Sequence, residues 1–233
     1  MITRRKDYEK QAPTRDARKI YILCEGKGTE PDYFTFFEGL SSNLELIVIP
    51  PENGTDPLKL EALAKQKFFD ENSRYGIDYV SHDTIWFVID TDSWEEEGKI
   101  APLRQFCASI NDAGNDVWKK YNEVKPYAVF NVAQSNPSFE IWLYYHIFPN
   151  RPQTSEVEDH LSFKEFVNNK ISGGFNFQSD PARLREAIAN ARQSFASKSD
   201  GTPSTFSTEV YHLGEEIYPL VQQPLERLKG KML

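Results

Sequence analysis

The chain has 233 residues, 39% of them hydrophobic and 13% aromatic, enough for one large domain or a core with an appended lobe, and too apolar for intrinsic disorder. A net charge of −8 speaks against a bulk nucleic-acid coat protein. Two cysteines and four scattered histidines build neither a disulfide framework nor a zinc finger.

The first 18 residues read as a basic arm. Residues 1–19 carry seven Lys/Arg and three Asp/Glu, a charge of +4, so the overall −8 leaves −12 on the rest. Such an arm is either a solvated tail or a phosphate-contacting segment. It has no apolar stretch of the secretory type, and no run in the chain approaches the roughly 18 apolar residues of a membrane span. A cytoplasmic protein without a membrane partner is expected.

From Lys19 the chain alternates between two patterns. Short apolar runs rich in β-branched and aromatic residues occur at Lys19–Cys24, Leu44–Ile49, Thr84–Asp90 and Tyr127–Ala133. Their continuous apolarity predicts strands buried on both faces, as in a parallel sheet. Helical patterns lie between them. Glu30–Leu40 aligns Tyr33, Phe34, Phe37 and Leu40 on one face, with Thr29 expected as N-cap and Asp32 closing a capping box. Asp56-Pro57 opens a second helix to about Asn72, and Pro102–Asp112 reads as a third. The rhythm predicts an α/β fold, a parallel sheet flanked by helices, over residues 19–148. The last segment of that core, Phe139–Phe148, reads as an apolar helix. Residues 149–233 form a helical C-terminal region: a polar loop at Arg151–Asp159, then helices near Phe163–Lys170, Pro181–Ser197, Thr205–Ile217 and Pro224–Lys229.

Acids stand where the runs end: Glu25 after the first, Asp90 and Asp92 at the close of the third. In an open parallel sheet the strand C-termini share one edge, and ligands bind there. Two aspartates two residues apart on a strand lie about 6.6 Å apart, and their repulsion is about 2.5 kcal/mol at an effective dielectric of 20. Gathering a glutamate beside them points to a hard divalent cation, Mg²⁺ or Mn²⁺, rather than to aspartates that only start turns. Gly26-Lys27-Gly28 fits neither the P-loop nor the dinucleotide fingerprint; these glycines free the backbone beside Glu25 for a close approach.

Ile22-Leu23-Cys24-Glu25-Gly26, Thr29-Glu30, Tyr33-Phe34 and Val88-Ile89-Asp90-Thr91-Asp92 together resemble the TOPRIM signature. More narrowly they resemble the RloB-like proteins of bacterial restriction and phage-defence loci. Asn136-Pro137-Ser138-Phe139-Glu140-Ile141-Trp142-Leu143, followed by His146, resembles that family's second block. The resemblance implies a TOPRIM-like α/β core in which Glu25, Asp90 and Asp92 hold Mg²⁺, with Glu30 the match for a further acid. It implies a metal-dependent endonuclease acting on RNA or DNA in anti-phage defence, with an ATPase partner encoded nearby. The length excludes a topoisomerase with its separate tyrosine domain, and the lack of a Cys/His cluster excludes the familiar bacterial primase. Glu25 is either a metal ligand or a general acid or base beside ions held by the aspartates.

Two other readings compete. Val88–Asp92 also resembles the opening D-x-D motif of haloacid-dehalogenase phosphatases, which would leave Glu25 unused, and the chain would otherwise be a catalytically silent TOPRIM binding module. Among secondary residues, Glu140 is either a site ligand or a first-turn acid favoured by the helix dipole. Asn136 is expected to cap that helix, with phosphate contact by Asn136 or Ser138 as the sharper reading. His146, about 120° around the helix from Glu140, is expected to be a packed histidine. Arg185 and Arg192 share a helix face that reads as solvated, with phosphate contact as the sharper alternative and Lys198 a weaker candidate. Asp112 and Asp116 flank Gly114 in an expected turn without special standing.

Overall fold

The computed structural model describes residues 17–52, 55–92, 94–113 and 126–232. The basic arm up to residue 16, together with Gly114 and Asp116, lies outside the described residues. Strands β1 (Arg18–Cys24), β2 (Leu44–Ile49), β3 (Thr84–Asp90), β4 (Phe130–Asn136) and the two-residue β5 (Ser207–Thr208) form one sheet in the order β2-β1-β3-β4-β5. The first four are parallel, with Ile22 opposite both Val48 and Trp86 and Val88 opposite Ala133; β5 runs antiparallel to β4.

Side chains alternate across the central strands, so continuous apolar runs feed two layers. On one face Ile20, Ile22, Cys24, Trp86 and Val88 pack with Tyr33, Phe34, Phe37, Trp142 and Tyr145. On the other, Tyr21, Leu23, Ile85, Phe87 and Ile89 pack with Leu60, Ala64, Leu103 and Cys107. Helices α1 (Thr29–Thr35) and α4 (Glu140–Tyr145) serve the first layer, α2 (Pro57–Phe68) and α3 (Ile100–Ala113) the second. The C-terminal region adds α5 (Thr154–Glu158), α6 (Phe163–Lys170), a 3₁₀ turn (Asp180–Arg183), α7 (Leu184–Ser194) and α8 (Val210–Met232), and much of it closes over the first layer. Among the described residues no helix is long and apolar enough to cross a membrane.

Several local expectations are corrected. Helix α1 ends at Thr35, and Thr29 is its first residue rather than a cap; no side chain caps it, and the Asp32 amide donates to the Gly28 carbonyl (2.9 Å). The Glu30 carboxylate instead turns back to the Gly26 amide (3.2 Å). Asp56 does cap α2, accepting from the Leu58 and Lys59 amides, but that helix stops at Phe68. The expected loop at Arg151–Asp159 contains α5. The two expected C-terminal helices are one, running through Pro219 and Pro224. Each interior proline costs about 3 kcal/mol, but Val210, Leu213, Ile217, Val221 and Leu225 form one buried stripe that interruption would break.

Strand β4 is displaced by three residues from the expected run. Its end, Gln134-Ser135-Asn136, is polar and almost wholly buried. Apolar pattern could not reveal it, because these residues are held by hydrogen bonds rather than hydrophobic burial. Asn136 consequently caps no helix: its side-chain amide donates to the Pro203 carbonyl (2.9 Å), and the bond to Pro137 is cis.

Candidate metal centre

The chain leaves β1 toward β2 on one side, while β3 and β4 lie on the other. The β1/β3 seam is therefore the topological switch point, where strand C-termini diverge and open a crevice. Glu25 and Asp90 stand at that seam. The Glu25 amide still donates to Val88 O (3.0 Å), extending the ladder by one bond. In a continuing parallel ladder the Asp90 amide would next donate to the Glu25 carbonyl. It donates instead to Glu25 Oε2 (2.9 Å), so pairing stops there.

Strand alternation sends the two acids to opposite faces. Glu25 follows Tyr21 and Leu23 toward the α3 layer, where Trp94 Nε1 donates to its Oε1 (2.5 Å). Burial pushes the Glu25 carboxyl up to about 7 despite both donors, and Glu30 and Asp92 add to the rise. Asp90 follows Trp86 and Val88 toward the α1/α4 layer, and its Oδ1 accepts from the Phe139 amide (2.8 Å). Burial holds its carboxyl well above the usual range, reinforced by Glu30, Glu25, Glu140 and Asp92.

Asp90 opens onto a cavity of about 290 Å³ that Glu30 and Glu140 also line. Glu30 is buried beneath the Gly26 turn, and its carboxyl is raised by burial and by Glu140. Gly26 permits this approach, since a Cβ there would stand 2.2 Å from Glu30 Oε2. Glu140, the first residue of α4, accepts from Ser138 Oγ (2.7 Å) and pairs with Lys164 Nζ on α6 (3.3 Å). Asp92 is exposed and is not among the cavity's lining residues; it has a left-handed conformation (φ 29°), and its amide donates to the Pro137 carbonyl (3.3 Å). Partial desolvation of its carboxyl among the neighbouring acids, and Glu140, raise it as well.

The structure thus gathers all five predicted acids around one sheet edge but divides them. Glu30, Asp90 and Glu140 share the cavity, Glu25 lies behind the strand ends, and Asp92 is exposed outside the lining, near enough to Glu140 and Asp90 to act on them electrostatically. Among the described residues no three Asp, Glu, His or Cys side chains are drawn close enough to grip an ion as they stand. The donor chemistry still fits one. The cavity acids offer only hard oxygens; Glu30 and Glu140 raise the Asp90 carboxyl and Glu140 raises that of Glu30, so a cation among them would relieve a repulsion that the exposed Lys164 on Glu140 and the exposed Lys27 at the cavity wall leave in place. Magnesium or manganese suits that set, and no imidazole or thiol lines the cavity to favour a softer metal.

Trp94 and Lys164 are site residues that sequence reasoning missed. Trp94 stands in the acidic stretch after Asp92, where an aromatic among glutamates was the available signal; Lys164 sits on a helix expected from the sequence but remote in it. Of the secondary residues, Ser138 supports Glu140. His146 is packed as expected, with Nδ1 donating to the Trp142 carbonyl and Nε2 accepting from Tyr33 Oη, and burial pushes it down to about 3. Arg192 pairs with Glu215, Lys198 pairs with Glu95, and Arg185 is exposed, so none of the three lines the cavity.

Fold and site define a doubly wound α/β protein with a carboxylate-lined crevice at its switch point. The profile of the RloB-like protein family matches residues 20–217. That span takes in β2 to β5, all but the first two residues of β1, and all five acids, and the chain belongs to this family. No curated protein and no solved structure matches it.

Proposed function

We propose that the protein is a divalent-metal-dependent endonuclease of TOPRIM type, hydrolysing phosphodiester bonds of RNA or DNA in bacterial anti-phage defence. The observation that carries the reading is the meeting of Glu30, Asp90 and Glu140 in one cavity at the switch point, with Glu25 bonded to the Asp90 backbone. Asp90, Glu30 and Glu140 would hold Mg²⁺ or Mn²⁺, with the exposed Asp92 outside the cavity lining. A divalent ion supplies positive charge that activates water and steadies charge developing on phosphoryl oxygens.

The chain's own groups supply the rest. The Glu25 carboxyl, brought to about 7 by burial, can hold or release a proton near neutrality. Lys164 presents an ammonium to an incoming phosphate at the cavity wall. The basic arm is the proposed source of further phosphate contacts, and an ATPase encoded nearby the proposed partner. A silent binding module is the second reading, favoured by one observation: both Glu25 oxygens are occupied by protein donors.

Cleavage of labelled RNA and DNA oligonucleotides with Mn²⁺ separates these readings. The nuclease reading expects turnover by the wild type and at least about a hundredfold loss in Asp90→Asn and Glu140→Gln. Equal cleavage by wild type and Asp90→Asn would overturn it. A dehalogenase-like phosphatase would keep its activity in Glu25→Gln.

A further inference from the structure

The segment between the two aspartates is stitched to β4. The Thr91 amide donates to the Ser135 carbonyl (2.8 Å) and to the Pro137 carbonyl (3.1 Å), and its hydroxyl donates to Ser135 O (2.8 Å) while accepting from Gln134 Nε2 (2.8 Å). Gln134 Oε1 in turn accepts from Arg104 Nη2 on α3 (2.8 Å). Chemistry fixes the direction of this line. A guanidinium only donates, so the amide oxygen of Gln134 must face Arg104 and its nitrogen must face Thr91. The Thr91 hydroxyl, already an acceptor, then has its proton free for a carbonyl. Glu209 anchors the far end, accepting from Arg104 Nη2 (2.5 Å) and the Gln134 amide (3.1 Å) while its own amide donates to Gln134 O (2.8 Å).

Stability alone does not call for this arrangement. Gln134 is fully buried and Thr91 nearly so, and well-packed apolar groups can replace buried ion pairs without loss. Arg104 Nε is buried without a hydrogen-bond partner, a further cost. What the line does fix is the turn from Asp90, which faces the cavity, to the exposed Asp92.

We propose that Thr91 and Gln134 are positioning residues, the Arg104–Gln134–Thr91 line holding the Asp90–Asp92 turn in the geometry from which Asp90 reaches the cavity. The inference rests on the metal-site reading, and its test separates the two. Mn²⁺ binding by the full chain and amide hydrogen exchange of the metal-free protein are measured for wild type, Thr91→Val, Thr91→Ser, Gln134→Met, the Thr91→Val/Gln134→Met pair and Asp90→Asn. Thr91→Val and Gln134→Met should each weaken Mn²⁺ binding about tenfold or more, with Thr91→Ser within about twofold of wild type. The pair should be no worse than the poorer single variant, since both cut one line. Exchange at the Thr91 and Asp92 amides should speed up about tenfold in both single variants while Phe87 in mid-strand keeps its protection. Wild-type exchange at Thr91 and Asp92 in either variant, or equal acceleration at Phe87, would overturn the positioning role. Wild-type Mn²⁺ affinity in Asp90→Asn would overturn the metal reading instead, and the exchange data would then decide the positioning role alone.

Discussion

Glu25 and Asp90 end neighbouring parallel strands, yet their side chains leave the sheet on opposite faces, and the Glu25 carboxylate accepts the Asp90 amide at 2.9 Å in place of the next ladder bond. Asp90 is turned into the cavity with Glu30 and Glu140, while Glu25 is held behind it by Trp94.

Metal-free protein should lose stability as pH rises through neutrality. The Glu25 carboxyl titrates near 7 when folded against an ordinary 4.5. Between those values Glu25 holds more protons in the folded state than in the unfolded one, so its contribution to stability is fullest below 4.5 and falls through 7. Glu30, Asp90 and Asp92 shift the same way. Asp78 and Glu186 shift downward and act only below the ordinary carboxylate range, but His146, pushed down to about 3 from an ordinary 6.5, adds stability as pH rises to about 6.5, so the decline is read above that value. Glu25 alone accounts for a loss of about 1 kcal/mol between about pH 6.5 and pH 8. Thermal melts across that range should show the decline, flattened by saturating Mg²⁺; a melting temperature rising steadily to pH 8 without metal would contradict it.

Asp90→Asn should be firmer than wild type at about pH 8 without metal. The amide oxygen can still accept from Phe139, while one charge leaves a site where four carboxylates oppose it. A gain on the order of 1 kcal/mol would raise the melting temperature about 2–4 °C in a chain of this size. Differential scanning calorimetry with and without Mn²⁺ tests both halves of the idea, because the same variant should lose most of the metal-induced shift. A lower metal-free melting temperature, or an undiminished shift with Mn²⁺, would count against Asp90 as a ligand.

Gly26→Ala should damage the site while Gly28→Ala spares it. A Cβ at Gly26 would meet the Glu30 carboxylate at 2.2 Å, forcing it off the Gly26 amide, whereas nothing stands within 4 Å of a Cβ at Gly28. The displaced hydrogen bond should cost about 1–3 kcal/mol, with Mn²⁺ binding weakened about tenfold. Isothermal titration of the two variants side by side decides it; equal affinities would remove Glu30 from the ligand set.

Much of this architecture was legible in the sequence, and the exceptions share a cause. Leu44–Ile49 and Thr84–Asp90 were bounded correctly because burial on both faces writes itself as continuous apolarity. Glu25 and the Asp-x-Asp pair were placed at the sheet's C-terminal edge by the same runs. The polar end of β4, the return of Glu30 to Gly26 and the Trp94–Glu25 bond are specified by hydrogen bonds between residues distant in sequence or by local backbone turns, which leave no periodic trace. The unbroken α8 was hidden by its two prolines, whose local cost the long buried stripe outweighs. The division of the acids between two faces did follow from strand alternation, but only once the strands were known to end at Cys24 and Asp90.

Trp94→Phe should move the pH window upward. The indole N–H favours the charged form of Glu25, so its removal raises that carboxyl further above about 7. The variant should lose about 1 kcal/mol at about pH 8, where a carboxyl raised past that value takes up a proton rather than bearing the full loss of the bond, and little at about pH 5. Paired urea melts at the two values check this; an equal loss at both would mean that Trp94 acts by packing alone.

The most direct test is diffraction from crystals grown with Mn²⁺ and recorded for the anomalous signal of manganese. The account predicts a peak in the cavity between Gly26 and Lys164, with carboxylate oxygens of Asp90, Glu30 and Glu140 at about 2.0–2.3 Å, the range of hard oxygen-ligated cations. A crystal saturated with Mn²⁺ that shows no peak there, or shows one bound by none of these three residues, would contradict it.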